Sequence, residues 1–475
     1  GKGKSGGLPM AQKQAGPFVP AEVEMREATP RALALGVIMA VFMGAANAYL
    51  GLKAGMTIAA TYTTAVVGMA VIKALGGTIL EENCARTVGS IGGNVAAGAI
   101  FTLPAFFIAG IWQPFFTPSH YLVSTVILVA GGLLGIMFVT ILRRVLVDNA
   151  ELPFPESVAA AEIHKAGQKG QGGSSYLLGG MGLGALFALL TEIRVLAAKW
   201  QATLRIGHGA LVVRGPETSP AFLGVGYIIG PRLAGINFSG GVLAWGLLAP
   251  AIAFFLHWHD TAAVTSWGEE IVRVWRDYVR LIAIGGMLVG AFYTLYKMRK
   301  SLVEGISRSL GNLFRPRREA EGALPRTDRD LPIQWAVAGI GVVLAVMIAI
   351  FHWFAGNVTV ALVSALVMLL LGFVFAAVSG YLVGIIGVSS NPTSGLTVTV
   401  LIAAAFLMVL LGMEGATGIA AVLGVAAFTC VSVSVAGEMM QDLKAGQILG
   451  CTPWRMQAGD ILGVTAAALV MFLVL

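Results

Sequence analysis

Residues 380–398 read Gly-Tyr-Leu-Val-Gly-Ile-Ile-Gly-Val-Ser-Ser-Asn-Pro-Thr-Ser-Gly-Leu-Thr-Val and lie between two long apolar runs. Pro392 removes a backbone donor and clashes with the preceding helical turn. Lipid offers no replacement partner, so such a break is tolerated only where protein or a wet cavity surrounds it. The hydroxyls of Ser389, Ser390, Thr393 and Ser394, the Asn391 amide and the freed backbone amides can therefore line a pocket. The alternative is that the hydroxyls bond neighbouring backbone and Pro392 only kinks a helix.

Three other blocks carry ionisable groups. Glu438 and Asp442 stand four residues apart at the end of an apolar run, on one helical face, with Gln441 and Lys444 beside them. Ionisable residues inside a membrane are costly and mark proton or substrate pathways. A carboxyl facing each side in turn can load and unload a proton, unless Asp442 and Lys444 simply mark the water boundary. Glu81, Glu82, Asn83 and Arg86 precede a glycine-rich segment ending at Asn94. Glu82 and Arg86 are spaced to pair on one face. At the surface that pair is solvated and starts a helix, whereas an inward segment makes Arg86 a clamp for a substrate carboxylate. Leu152-Pro153-Phe154-Pro155-Glu156-Ser157 opens a helix with proline in its first turn and Glu156 near the positive end. The run that follows is too short to cross a bilayer, so it is either re-entrant, with Glu156 and Glu162 facing the pathway, or a water-exposed helix in which His164 is a surface residue.

Tyr49, Tyr62 and Tyr381 can stack on a substrate or anchor at the interface, as Trp245, Trp258 and Trp275 do. His257-Trp258-His259-Asp260 is a weak metal signal, read instead as an exposed loop. No metal site is expected. Cys84, Cys430 and Cys451 lack metal-ligand spacing and read as buried free thiols.

The elements that position these groups are transmembrane helices. Of 475 residues 57% are apolar and 12% charged, and the mean hydropathy is +0.83. A bilayer core needs about 20 apolar residues of helix. Runs of that kind fall at 32–52, 57–75, 95–112, 121–142, 177–196, 241–256, 281–296, 333–354, 358–383, 396–413, 418–435 and 459–475, about a dozen spans. The 62 glycines spread through them let helix backbones approach closely. Residues 1–26 lack a signal-peptide core and are set aside as a disordered tail or cloning remnant. Residues 27–296 form a first transmembrane half, 297–331 a basic linker and 332–475 a second half. The positive-inside rule makes the linker cytoplasmic, with 301–314 suited to lie on the inner leaflet. Because most of the basic excess flanks spans, the net charge of +7 requires no nucleic-acid partner. Ala45, Tyr49 and Leu50 fall in step with Ala377, Tyr381 and Leu382, which suggests two related halves, antiparallel by the crossing count. The fold class is an all-α polytopic membrane protein of two related halves with broken or re-entrant helices.

The residues also carry a family resemblance. Asn47 to Thr57 (Asn-Ala-Tyr-Leu-Gly-Leu-Lys-Ala-Gly-Met-Thr), Ala96-Ala97-Gly98 with Phe101 and Pro104, and Leu152 to Glu156 with Ala161-Glu162 and Lys165-Ala166-Gly167 resemble the oligopeptide transporter family, which includes the yellow-stripe-like metal-chelate carriers. Gly380 to Gly395 and Met440 to Gly446, followed by Gly450, Thr452 and Pro453, are similar to its later blocks in the same order. The resemblance implies proton-coupled uptake of short peptides or peptide-like metal chelates by alternating access. On that view Tyr49, Arg86, Asn94, Glu156, Tyr381, Ser389, Ser390, Asn391 and Ser394 bind substrate, and Glu438 and Asp442 couple protons. Arg86 departs from the family pattern, which has Gln there, and the pattern's acid near Gly93-Asn94 is missing. The chain ends inside an apolar run, where the resemblance implies further helices.

The resemblance implies a proton gradient as the energy source, and no cofactor is expected. The implied partners are the peptide or chelate, the lipid bilayer of a prokaryotic inner membrane and, in an assembly, a second copy. Nothing resembles a nucleotide-binding P-loop, a nucleophile with its base, or a helix-borne zinc motif. The remaining rivals are a carrier of another small organic anion and a channel.

Overall fold

The computed structural model describes residues 16–54, 57–168, 174–197, 200–215 and 324–475, with parts of 231–299. In chain order the elements are α1 (Pro30–Ala54), α2 (Thr61–Ala74), α3 (Ile79–Ile100), α4 (Leu103–Ile108), α5 (Pro118–Leu146), α6 (Pro155–Gln168) and α7 (Ser174–Glu192). The hairpin β1 (Gln201–Ile206) and β2 (Gly209–Arg214) follows, then α8 (Ala249–Leu256), α9 (Trp267–Val274), α10 (Ile333–Ala355), α11 (Val358–Ile386), α12 (Thr393–Leu410), α13 (Gly415–Leu449) and α14 (Pro453–Val474). Helices α1, α5, α6 and α14 open on a proline, whose missing N–H costs nothing in a first turn. Gly356 and Gly450, both at positive φ, end α10 and α13.

Among the described residues nine helical segments are long and apolar enough to cross a bilayer. Three of the dozen sequence runs fall away. The run at 57–75 forms only the 14-residue α2, that at 177–196 counts only as the shorter apolar helix Gly182–Thr191, and 281–296 lies partly outside the described residues. The polar ends of two runs also shift inward. Helix α3 begins at Ile79, not 95, and α13 extends to Leu449, not 435, so Glu81 to Asn94 and Glu438 to Lys444 all lie within helices.

The centre of the bundle is the pair α3 and α13. Every residue of α3 is buried. Helix α1 runs parallel to α3, Gly36 meeting Val88 and Gly51 meeting Ile100. The approach is closest at Gly92, where a Cβ would lie 2.0 Å from the Ala40 carbonyl oxygen, so only glycine fits. Helix α13 runs antiparallel to α3, since Ser434 reaches Asn94 and Asp442 reaches Arg86. Helix α5 follows α13, Gly131 against Phe428 and Gly135 against Ser432. Helix α11 follows α5, Gly372 against Phe138 and Gly380 against Leu146. Thus α1 accompanies α3 while α11 accompanies α13, and the two pairs run in opposite directions.

Beside this bundle the hairpin rests on its own small core, with Ala210 and Val212 packed against Ala249, Ala253, Ile271 and Val274. It is the one sheet among the described residues. The basic linker and its 301–314 helix fall outside the described residues up to 323. The described residues resume at 324, and Asp330 holds Arg144 at 3.2 Å. Residues 16–26, set aside with the tail, belong to the fold. Phe18 and Val19 amides donate to the Ile448 and Leu449 carbonyls at 2.9 and 3.0 Å. The Glu27 carboxylate just beyond accepts from Thr452 N at 2.9 Å and Arg326 Nη1 at 2.8 Å.

Candidate functional site

Among the described residues two helix breaks gather the polar groups, one after α11 and one after α1. Helix α11 ends at Ile386, Gly387 takes φ of 85°, residues 388–390 form a single 3-10 turn, and α12 starts at Thr393. A side chain at Gly387 is excluded twice, by that φ and because its Cβ would lie 2.4 Å from Glu156 Cδ. The exposed backbone amides find acceptors across the chain. Val388 N donates to Glu156 Oε2 at 3.0 Å and Gln441 Oε1 at 3.2 Å, and Ser389 donates both its amide and its hydroxyl to Glu156. Glu156 reaches this loop because Pro155 starts α6 beside it.

At the other break α2 starts at Thr61. Asn47 holds the segment before it, accepting from Ile58 N at 2.9 Å and donating to Ile58 O at 2.8 Å and to Gly93 O of α3 at 3.1 Å. Ser379 does the same at the break after α11, since Asn391 Nδ2 donates to its hydroxyl at 2.8 Å and the hydroxyl donates to Val433 O of α13 at 3.0 Å. Asn47 and Ser379 each stand two residues before the paired tyrosines, Tyr49 and Tyr381.

Gln441 joins the two breaks. Its Nε2 donates to Thr61 Oγ1 at 2.9 Å, and its Oε1 accepts from Val388 N. Thr61 donates onward to Glu438 Oε1 at 2.8 Å, Asn94 Nδ2 donates to Glu438 Oε2 at 2.8 Å, and Ser434 donates to Asn94 Oδ1 at 3.0 Å. One turn away the Arg86 guanidinium is paired with Asp442, which also accepts from Ser90 Oγ at 3.0 Å. Arg86 Nε donates to Asn83 Oδ1 at 3.0 Å. Arg86, Glu438 and Asp442 are all 0% exposed. Buried charges persist where partners and hydrogen bonds offset their lost hydration.

Glu82 does not pair with Arg86 as the four-residue spacing suggested. It turns to the other side of α3, where Gln168 Nε2 donates to it at 3.1 Å and His164 Nδ1 lies 3.3 Å away. Nor is His164 a surface residue. It is fully buried, and burial, with Arg86 a second cause, pushes its imidazole down to about 3, so a neutral ring faces Glu82. Glu162 is exposed and bonds Lys165 at 2.9 Å. Burial, with the Glu156 and Glu438 charges nearby, pushes the Tyr62 hydroxyl above the ordinary phenol range and keeps it a donor beside the cluster.

Of the residues singled out from sequence, Arg86, Asn94, Glu156, Ser389, Asn391, Glu438 and Asp442 come together around the breaks. Ser390 closes the 3-10 turn, and Ser394 is half-buried in the first turn of α12. On α1 Tyr49 is 61% exposed, and Tyr381 is half-buried against the apolar core. The three thiols are free and buried. His257 bonds Glu270 at 2.8 Å, while His259 and Asp260 lie outside the described residues. A hollow of about 720 Å³, lined by Gln201, Trp267, Arg273 and Arg276 among others, belongs to the hairpin region and shares no residue with the network.

Thr61 and Asp460 were missed. Thr61 carried no sequence signal, being a hydroxyl in an apolar run. Asp460 did carry one, as a lone acid among apolar residues.

A family model described as OPT oligopeptide transporter protein matches residues 27–475. A Haemophilus influenzae chain described as "Putative oligopeptide transporter" is 33% identical over 444 residues, which cover 89% of this chain and 68% of that one.

Proposed function

The chain belongs to the OPT oligopeptide transporter family, and from that premise we propose that it is a secondary carrier moving short oligopeptides or peptide-like metal chelates inward with protons. It is an integral, multi-pass membrane protein, and a bacterial inner membrane suits it. The observation that carries the mechanism is the bridge at Gln441, which ties the start of α2 to the loop before α12. Two breaks of opposite orientation, meeting at one polar network, give a site that one half can open to each face in turn.

A peptide presents backbone-like donors and acceptors that can replace the bonds now made between Glu156, Gln441, Thr61 and the amides of Val388 and Ser389. The Asn391 Oδ1 atom, buried and without a partner among the described residues, is an acceptor for a substrate N–H. Arg86 offers a carboxylate a bidentate fork once Asp442 releases it. Glu438 and Asp442 are the carboxyls assigned to proton coupling.

The test is counterflow in proteoliposomes with a panel of di- to pentapeptides and metal chelates, with and without an acid gradient. Saturable exchange of a labelled peptide, with accumulation driven by acid outside, is expected. Exchange of organic anions alone, or unsaturable flux, refutes the peptide-carrier assignment.

A further inference from the structure

Asp460 lies on α14, is 0% exposed, and neither carboxyl oxygen has a hydrogen-bond partner among the described residues. The other carboxyls of the central network are all supplied with donors: Glu438 by Thr61 and Asn94, and Asp442 by Arg86 and Ser90. Asp460 is held at this depth by close packing. A Cβ at Gly459 would lie 2.8 Å from Val88 Cγ2, and one at Gly463 would lie 2.5 Å from the Val88 carbonyl oxygen. That sets Asp460 at the level of Val88, between the positions on α3 that carry Arg86 and Ser90.

The ionisable groups that face it are Arg86 and Cys84 from α3 and Glu438 and Asp442 from α13. Among the described side chains of the other helices packed against α14, Arg31 of α1 is engaged with Glu81, Arg143 and Arg144 of α5 with Asp330, and His120 of α5 with the Phe115 carbonyl. Three carboxyls thus share one guanidinium in a dry interior, and Asp460 has no share of its donors. A bare carboxylate there costs several kcal/mol. A proton on one carboxyl oxygen removes this charge without any further ligand.

We propose that Asp460 is a third proton-carrying carboxyl of this transporter and holds an exchangeable proton in the closed state. This rests on the carrier reading above. A proton from water at one open face binds a carboxyl oxygen, and the same O–H bond breaks when the site opens to the other face. Once ionised, Asp460 competes with Asp442 for Arg86. The contact between α3 and α13 then depends on whether Asp460 holds its proton, which links proton release to helix rearrangement.

Two measurements on the purified full chain test this. The first is infrared difference spectroscopy in detergent at neutral pH, which needs no substrate. A deuterium-sensitive carbonyl band of a protonated carboxyl is expected in the wild type, lost in Asp460→Asn and shifted in Asp460→Glu. A band unchanged in Asp460→Asn overturns the assignment, and Asp460→Glu alone decides it if the asparagine variant does not fold. The second uses proteoliposomes and whichever panel peptide the wild type exchanges. Acid-driven accumulation by Asp460→Asn is expected to fall roughly tenfold further than its counterflow. An equal fall in both, or accumulation that follows a sodium gradient instead, overturns the coupling role. If the wild type exchanges no peptide, the carrier reading fails, and the infrared band still decides whether Asp460 holds a proton.

Discussion

Helices α3 and α10 are both long enough to cross the bilayer, yet they occupy opposite environments. The span containing α10 has a mean hydropathy of 2.4 and is 17% buried by protein, whereas the span containing α3 has 1.7 and is 67% buried. In water the more apolar helix would be the buried one. Here α10 turns Trp335, Val337, Val342 and Trp353 outward, while α3 places Glu81, Glu82, Asn83 and Arg86 inside. Lipid satisfies hydrocarbon as well as protein does, so apolar surface gains little from burial, and polar groups gain everything from it. The centre of this molecule is selected by unmet hydrogen bonds.

The strongest test removes one partner of the central ion pair. Arg86→Ala leaves Asp442 buried and uncompensated and is expected to cost about 3–5 kcal/mol. Thermal unfolding in detergent measures it, and Arg86→Leu combined with Asp442→Leu should recover part of the loss. A loss below about 1 kcal/mol would mean that the α3–α13 contact does not depend on its charges.

The polar side of α3 extends to His164 and gives an acid dependence. The folded ring stays neutral until about 3, against an ordinary value of 6.5. As pH falls through that window the unfolded chain takes up a proton that the folded chain refuses, so stability is lost on acidification, by about 1.4 kcal/mol per pH unit. His164→Gln should flatten the pH profile between those limits by that amount. Equal slopes for the variant and the wild type would place the ring in contact with water.

Glycine substitutions sharpen the contrast at lower energy. Gly92→Ala forces a methyl onto the Ala40 carbonyl and should destabilise by about 1–3 kcal/mol. Gly341→Ala on α10 meets nothing within 4 Å and should stabilise by up to about 1 kcal/mol through helix propensity. The smallest effect is expected at the outer face of α10, where Val342→Ala should stay within about 0.5 kcal/mol. If Val342→Ala costs as much as Gly92→Ala, a protein partner covers that face.

Much of the site was legible because its groups violate the local pattern. A proline with hydroxyls at 389–394, and carboxyls spaced at 438 and 442, stand out against apolar sequence whatever surrounds them. What could not be read was depth. Glu81 to Arg86 look alike as a solvated helix start or as a buried turn, and the structure makes them a helix start that is buried throughout. Thr78 and Glu81 form a capping box at the helix end, Glu81 Oε2 accepting from Thr78 N at 2.8 Å, while Arg86 two turns on is sealed inside. Partner choice was also hidden. Glu82 and Arg86 satisfy the spacing of an intrahelical pair, but each finds a better-placed group on another helix, His164 and Gln168 for one and Asp442 for the other.

The sequence alone determined that this chain lives in lipid, that Pro392 interrupts an apolar run, and which polar and ionisable residue types stand among the spans. Composition and run length answer to the solvent, and a proline answers to its own backbone, so both act locally. Tertiary structure alone decided that Gln441 bridges the two breaks, that Arg86 is held by a carboxylate 356 residues away, and that Asp460 is buried near Arg86 without a donor among the described residues. Those outcomes depend on which helices lie side by side, and that is set by the pairing of buried polar groups across the whole chain, which no local pattern contains.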